Sequence, residues 1–376
     1  MTLIIAGDLV PTHPNFSYFE SGNLESIMGK ELLSVWRESD IRIFNLEVPL
    51  TDEKEPIKKT GPNLAAPTKT AKGIKALNPS LVSLANNHIL DQGAKGLLST
   101  CETLSKLGIP FVGAGENLLR AAKPYVIDRD GKRVGVYSCA EHEFSIATED
   151  RPGANPFDPL ESLDHISGLK NRCDYVVILY HGGKEHYRYP SPHLQKVCRR
   201  MVDKGADLVI TQHSHCVGCY EQYSGSTIVY GQGNFIFDYS ESDYWKTSLF
   251  VRVRFCDQIE VQYIPFFKSS RNVQLANGDI MQEILTGFDR RSKEIVTPGF
   301  IEQEYRRLAE RVCPEYINTF LCRGRFLSAL DRKIFRGFIS KRNVRRKRLL
   351  MAKNIINCET HRELLLKGLD LIEKHE

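Results

Sequence analysis

From the first residue to about position 215, short apolar runs alternate with amphipathic stretches. The runs at residues 3–6, 41–46, 81–85, 111–112, 134–139, 175–180 and 208–210 have the length and β-branched content of strands. Residues 19–37, 68–77, 94–107 and 192–204 carry apolar positions at three- and four-residue spacing, which predicts helices. Such alternation predicts an α/β fold with largely parallel sheet and helical crossovers. Residues 227–230, 248–255 and 259–266 then follow as strands with no helix between them, predicting antiparallel pairs in a second, mixed sheet packed on the first. Pro- and Gly-bearing loops are expected at 11–14, 61–67, 151–159 and 182–192. From residue 301 the pattern is helical and basic, so a domain of residues 1–300 and a helical extension of 301–376 are expected.

Polar residues of one chemical kind sit just after these runs. In an α/β fold the loops beyond the carboxyl ends of the strands converge on one crevice, where ligands bind. Asp8 follows the first run through Gly7, which permits close backbone approach. Its competing role, capping a helix, is disfavoured by Pro11 and Pro14. Asn45 and Glu47 share a face by strand alternation, so Glu47 is placed to bridge two cations and Asn45 to meet substrate. A solvated strand-end glutamate is the plainer alternative.

Asn87 offers a neutral hard donor, and His88 beside it is placed to serve as an acid toward substrate. His181 precedes two glycines, and Glu185 four residues on joins His88 as a candidate catalytic residue. His213 and His215 are expected on one side of an extended segment, sharing metal coordination. His142 and His165 are expected to be ordinary packed residues. Imidazoles mixed with carboxylates and an amide suit Mn, Fe or Zn better than Ca or Mg. The glycine-rich stretch 230–238 lacks the lysine and following helix of a P-loop; it serves either packing or, through Asn234, substrate contact.

Composition narrows the class. Apolar residues make up 41% and charged residues 26%, ordinary for a core-forming globular protein. The start has no basic, apolar leader, and no run approaches the roughly 18 apolar residues of a membrane span, so the cytoplasm is the expected location. The ten cysteines fit that setting as buried thiols, although Cys216 and Cys219 have the spacing of a zinc or redox pair. Charge is uneven: residues 301–376 hold 18 Lys/Arg against 10 Asp/Glu. Arg345-Arg346-Lys347-Arg348 beside Leu349-Leu350-Met351 resembles a basic amphipathic helix, which points to contact with an anionic membrane or polyanion, or simply to a solvated face. Sequence-specific nucleic-acid binding is not expected.

In combination, Gly7-Asp8, Asn45-Leu46-Glu47, residues 83–88 and 113–118, His181 with Glu185, His213-Ser214-His215 and residues 233–238 resemble the CapA family. These are bacterial capsule-synthesis proteins associated with poly-γ-glutamate, within the calcineurin-like metallophosphatase superfamily. The resemblance spans residues 3–266 and implies a four-layer α/β/β/α sandwich of metallophosphatase type with a two-metal centre. It implies Asp8 and His215 on one ion, Asn87, His181 and His213 on the other, and Glu47 bridging where most of the superfamily has Asp. His88 corresponds to the candidate general acid. Val10 stands where many metallophosphatases have a histidine ligand, Gly182 replaces a frequent Trp, and Gln212 and Ser214 flank His213 less typically. The implied reaction is metal-assisted hydrolysis of a phosphoester, or of an amide or ester in a polymer. A non-catalytic, metal-binding accessory protein of a polymer-synthesis complex is the alternative.

Overall fold

In the computed structural model, which describes residues 1–256, 259–269 and 272–320 with scattered positions between 330 and 365, the apolar runs become strands. In chain order they begin with β1 (Thr2–Val10), β2 (Ile41–Leu46), β3 (Leu81–Ser83), β4 (Phe111–Val112), β5 (Ala114–Gly115), β6 (Tyr125–Arg129), β7 (Lys132–Ala140) and β8 (Gly153–Ala154). They continue with β9 (Tyr175–His181), β10 (Leu208–Gln212), β11 (Val217–Tyr223), β12 (Ser226–Gln232), β13 (Asn234–Phe237), β14 (Thr247–Arg254), β15 (Glu260–Ser269) and β16 (Asn272–Leu275). One sheet runs β16-β15-β14-β1-β2-β3-β4 and the other β11-β12-β10-β9-β7-β6, while β5 and β8 pair separately.

The second sheet has a parallel centre and antiparallel edges, whereas the first is parallel from β1 to β4 and antiparallel from β1 through β14 to β16. The expected second, mixed sheet and the antiparallel pairing of β14 with β15 are both present, but the late strands are divided between the two sheets. β14 and β15 extend the first sheet from the edge of β1, which would otherwise present unpaired backbone, and β12 lies parallel to β10 in the second. The single helix expected over 19–37 is three: Phe16–Ser21, Leu24–Ile27 and Lys30–Arg37. Gly22 closes the first in a left-handed cap at φ 72°, and Met28 and Gly29 are drawn off to pair with Val273.

Side-chain alternation sorts the apolar residues into three buried layers, and these fix the architecture. Leu3, Ile5, Ile41 and Ile43 of the first sheet meet Val177, Leu179 and Ile210 of the second in one cluster. Ile4, Ala6 and Phe44, on the opposite face, pack against Leu32, Trp36 and Leu97 of the helices. Ile178 and Tyr180 likewise pack against Ile166, Cys198 and Met201. The result is an α/β/β/α sandwich.

One irregularity in β1 decides where the polar residues go. Ile5 pairs with Ile43, but Asp8 pairs with Asn45, so three steps in β1 match two in β2 and a bulge lies at Ala6-Gly7. Without it Asp8 would follow Ile4 and Ala6 toward the helices; the extra residue turns it onto the face of Leu3 and Ile5, between the sheets. β1 also changes neighbour there, pairing with β14 up to Ile5 and with β13 from Asp8. The expected strand 3–6 therefore continues past Asp8 to Val10.

The chain divides into two compact units, Met1–Ile301 and Glu302–Glu376. Described residues of the second continue the helix Phe300–Phe320. The basic run 345–348 and the apolar residues beside it lie outside the described residues. Among the described residues no helix is long and apolar enough to cross a membrane.

Candidate metal centre

The central parallel strands of both sheets end at the same place, and their polar residues converge there. Asp8, Asn45, Glu47, Asn87, His88, His181, His213, His215 and Asn234 are all buried. Two donor groups form, Glu47–His181–His213 and Asp8–Glu47–His215, each with its ligating atoms within 4.8 Å of one another. Nε2 of His181 lies 3.2 Å from Glu47 Oε1, 3.1 Å from Asn87 Oδ1 and 3.1 Å from His213 Nδ1. Nδ1 of His215 lies 3.5 Å from Asp8 Oδ2.

The His213–His215 segment is not extended as expected. β10 ends at Gln212, and both histidines have left-handed backbones, φ 88° and 54°. That conformation is costly for residues with a Cβ, and such strain concentrates at functional sites. It sends the rings apart: His213 packs edge-on to His181, while His215 lies beside Trp245.

Glu47 is fully buried, and its carboxylate has no hydrogen-bond partner apart from the His181 imidazole, whose Nε2 lies 3.2 Å from Oε1. An ionised carboxylate with so few donors is unfavourable unless a cation neutralises it. Protons partly fill that role in the isolated chain. Burial pushes the His181 pKa down, but the Glu47 and Asp8 charges outweigh it and leave it raised. Burial likewise opposes protonation of His215, yet Glu47, Asp8 and Asn234 hold its pKa at about 9. His213 is pushed well below its usual range by burial and by the neighbouring imidazoles. For Asp8, burial favours the neutral acid, but His215, His181 and Asn45 prevail and lower its pKa. A pocket whose carboxylates draw protons onto nearby imidazoles fits divalent cations in chemistry as well as donor type.

Further residues, missed in the sequence, hold these groups in place. Gln212 Nε2 donates to the carbonyl of Ala6 and Gln232 Nε2 to that of Ile5, meeting the backbone groups at the β1 bulge. Asn86 donates to Asn45 Oδ1 and Leu46 O and accepts from the His88 amide. Nδ1 of His88 donates to Asp91 Oδ2 at 2.6 Å, which leaves Nε2 as its outward nitrogen. Asp91 is ion-paired to Lys59, whose side chain is 1% exposed although most of its loop is solvated.

Two assignments change. Asn45 does not face substrate: it is fully buried behind the donors, its Nδ2 given to Asp8 Oδ1 at 2.8 Å and 3.3 Å from His181 Nδ1. Glu185 is turned to the surface, because the loop after β9 bends through Gly183 at φ 110° and His186 at φ 57°. His186 takes the inward place, accepting from Trp245 Nε1 at 2.8 Å with its ring 6.4 Å from that of His215. At Gly182 a Cβ would stand 2.6 Å from Cγ of Glu141, so a side chain there would require Glu141 to move. Cys216 and Cys219 are buried free thiols, each with its pKa raised by burial.

A family model described as "Bacterial capsule synthesis protein PGA_cap" matches residues 2–239. The chain is 33% identical over 211 residues to "Capsule biosynthesis protein CapA" of Bacillus anthracis, covering 54% of this chain and 51% of that one. It is 30% identical over 214 residues to a "Probable polyglutamine synthesis accessory protein" of Mycobacterium tuberculosis, covering 54% and 56%. The chain thus spans about half the length of the curated relatives it matches. A solved phosphatase from Mycoplasma pneumoniae aligns over 73% of this chain and 90% of its own, with 14% identity and a TM-score of 0.42.

Proposed function

The chain belongs to the bacterial capsule synthesis protein PGA_cap family, and from that premise we propose that it is a hydrolase whose centre takes two divalent ions, Mn, Fe or Zn. Its substrate is a phosphoester, or an amide or ester bond in an anionic polymer of the polyglutamate kind. The observation that carries this reading is Glu47, common to both donor groups and fully buried with the His181 imidazole as its one close donor. Glu47 would serve both ions, with Asn87, His181 and His213 as the further residues that would hold one and Asp8 and His215 those that would hold the other.

When bound, the ions supply positive charge that acidifies water and draws electron density from the oxygens of the substrate. The protein's own part is positional. The Asp91 carboxylate fixes the His88 ring through Nδ1, so that Nε2 is the atom from which the imidazolium form would give its proton to the leaving group, leaving neutral imidazole behind. Lys59 neutralises Asp91 from behind. Asn45 and the bulge at Ala6-Gly7 hold Asp8 toward the cleft.

Full-length protein reconstituted with Mn²⁺ is to be assayed against phosphomonoesters, phosphodiesters and γ-glutamyl peptides. Turnover of one class is expected, reduced about 10²–10⁴-fold in His88→Asn with metal content retained. An unchanged rate in His88→Asn sinks the acid role. Metal binding without turnover of any class favours the second reading, a non-catalytic accessory protein, which the name of the mycobacterial relative supports. The basic extension is proposed to contact an anionic membrane or polyanion; deleting residues 323–376 is expected to abolish salt-sensitive liposome binding, and binding that survives deletion refutes it.

A further inference from the structure

Asn234 has no part in the chemistry above, yet its surroundings are those of a ligand. It opens β13 directly opposite Asp8 and is 4% exposed. Its Oδ1 lies 2.8 Å from Nδ1 of His215, the same nitrogen that faces Asp8 Oδ2 at 3.5 Å. Its Nδ2 is buried with no hydrogen-bond partner. An asparagine that merely pinned a loop would use both ends of its amide. Here the oxygen is directed at the donor group and the nitrogen is left orphaned, an arrangement that needs an explanation.

The donor count supplies one. Glu47, Asn87, His181 and His213 make four donors on one side of the centre. Asp8, Glu47 and His215 make three on the other, and Val10, two residues on from Asp8, offers none. Donors held roughly 2.0–2.2 Å from a common ion stand about 3–3.5 Å apart, and the contacts of His215 Nδ1 with Asp8 and Asn234 are close to that spacing. We propose that Asn234 is the fourth protein ligand of the Asp8–Glu47–His215 site, binding through Oδ1 as the counterpart of Asn87. The proposal rests on the two-ion reading and extends it by one residue. It also accounts for the glycine-rich turn. Gly233, at φ 76°, sets its carbonyl in the space where Gly7 would carry a Cβ, and only that approach brings Asn234 level with Asp8.

The test counts Mn²⁺ bound by full-length, metal-stripped protein after equilibrium dialysis. Wild type is expected to hold two ions. Asn234→Leu, of similar volume but without a donor, is expected to lose one, or to bind it at least about 10-fold more weakly. Asn234→Asp, which keeps an oxygen at the same reach, is expected to recover it. His215→Ala should lose the same ion, with no further loss in the Asn234→Leu/His215→Ala pair, whereas His181→Ala combined with Asn234→Leu should lose both. Two ions held at wild-type affinity by Asn234→Leu overturn the proposal. Should Asn234→Leu not fold, as judged by its metal-free melting curve, Asn234→Asp decides alone: second-ion binding tighter than wild type supports the ligand, and weaker binding overturns it. A wild-type chain that takes up no Mn²⁺ overturns the two-ion reading itself, whereas the failures above leave that reading standing.

Discussion

The carbonyl oxygen of Gly233 fills the space in which Gly7 would carry a side chain. A methyl group there would stand far inside van der Waals contact with backbone, which has no flexible end to move away. This approach is what allows β13 to run beside β1 from Asp8 onward. Gly7→Ala is therefore expected to destabilise the fold by about 3 kcal/mol, the upper part of the usual range for overpacking. Its melting temperature in chelator should fall by several degrees, and protein that still folds should lose the Asp8-side ion before the other. A melting temperature matching wild type would show that the two strands separate without penalty.

Lys59 and Asp91 form a pair with side-chain exposures of 1% and 0%. Breaking a buried pair by removing one partner leaves the other charge stranded. Asp91→Asn is thus expected to destabilise by about 3–5 kcal/mol, and adding Lys59→Met should recover most of that. Turnover should not recover with stability, since His88 has lost the carboxylate that orients it. Denaturant titration and rate measurement on the same three variants check this. If the double variant regains both, Asp91 serves the fold alone.

The layers were legible in the sequence because alternation within each strand survives folding: Leu3 and Ile5 against Ile4 and Ala6, Val177 and Leu179 against Ile178 and Tyr180. Positions directly after the runs were legible for the same reason, and Asp8, Glu47, Asn87, His181, His213 and His215 do come together. What could not be read was every departure from regular period. A bulge adds one residue without altering composition, so the face of Asp8 was open to either assignment. Left-handed backbones at non-glycine residues leave no residue-type signal, which concealed the split between His213 and His215 and the turn that exchanges Glu185 for His186. The glutamines at 212 and 232 act on carbonyls more than 200 residues away.

In chelator, stability is expected to peak near neutral pH and fall on both sides. His215 carries a folded-state pKa of about 9, above its ordinary 6.5, so its contribution is complete below about pH 6.5 and is lost as pH rises through 9. His213 is depressed well below 6.5, so it penalises the fold as pH drops beneath that ordinary value. Mn²⁺ must displace the His215 proton, and its affinity should therefore rise over the interval in which the metal-free protein weakens. Melting curves from pH 5.5 to 9.5 in EDTA and in Mn²⁺ read both trends. A flat alkaline limb in EDTA contradicts the Asp8–His215 pairing.

Gln212 offers the sharpest separation between the two halves of the centre. Its Nε2 meets the Ala6 carbonyl at the bulge that aims Asp8, whereas the Asn87–His181–His213 donors are held by Asn86, Ser145 and the end of β9. Gln212→Leu removes the donor and leaves that carbonyl buried and unpaired, at a cost of about 1–3 kcal/mol. Because the bulge then loses one of its two glutamine ties to the second sheet, Asp8 is loosened while Asn87 and His181 are not. A stepwise Mn²⁺ titration should show the weaker step displaced by about 10-fold and the tighter step unmoved. Equal displacement of both steps would mean that Gln212 supports the centre only through global stability, and that the bulge holds Asp8 unaided.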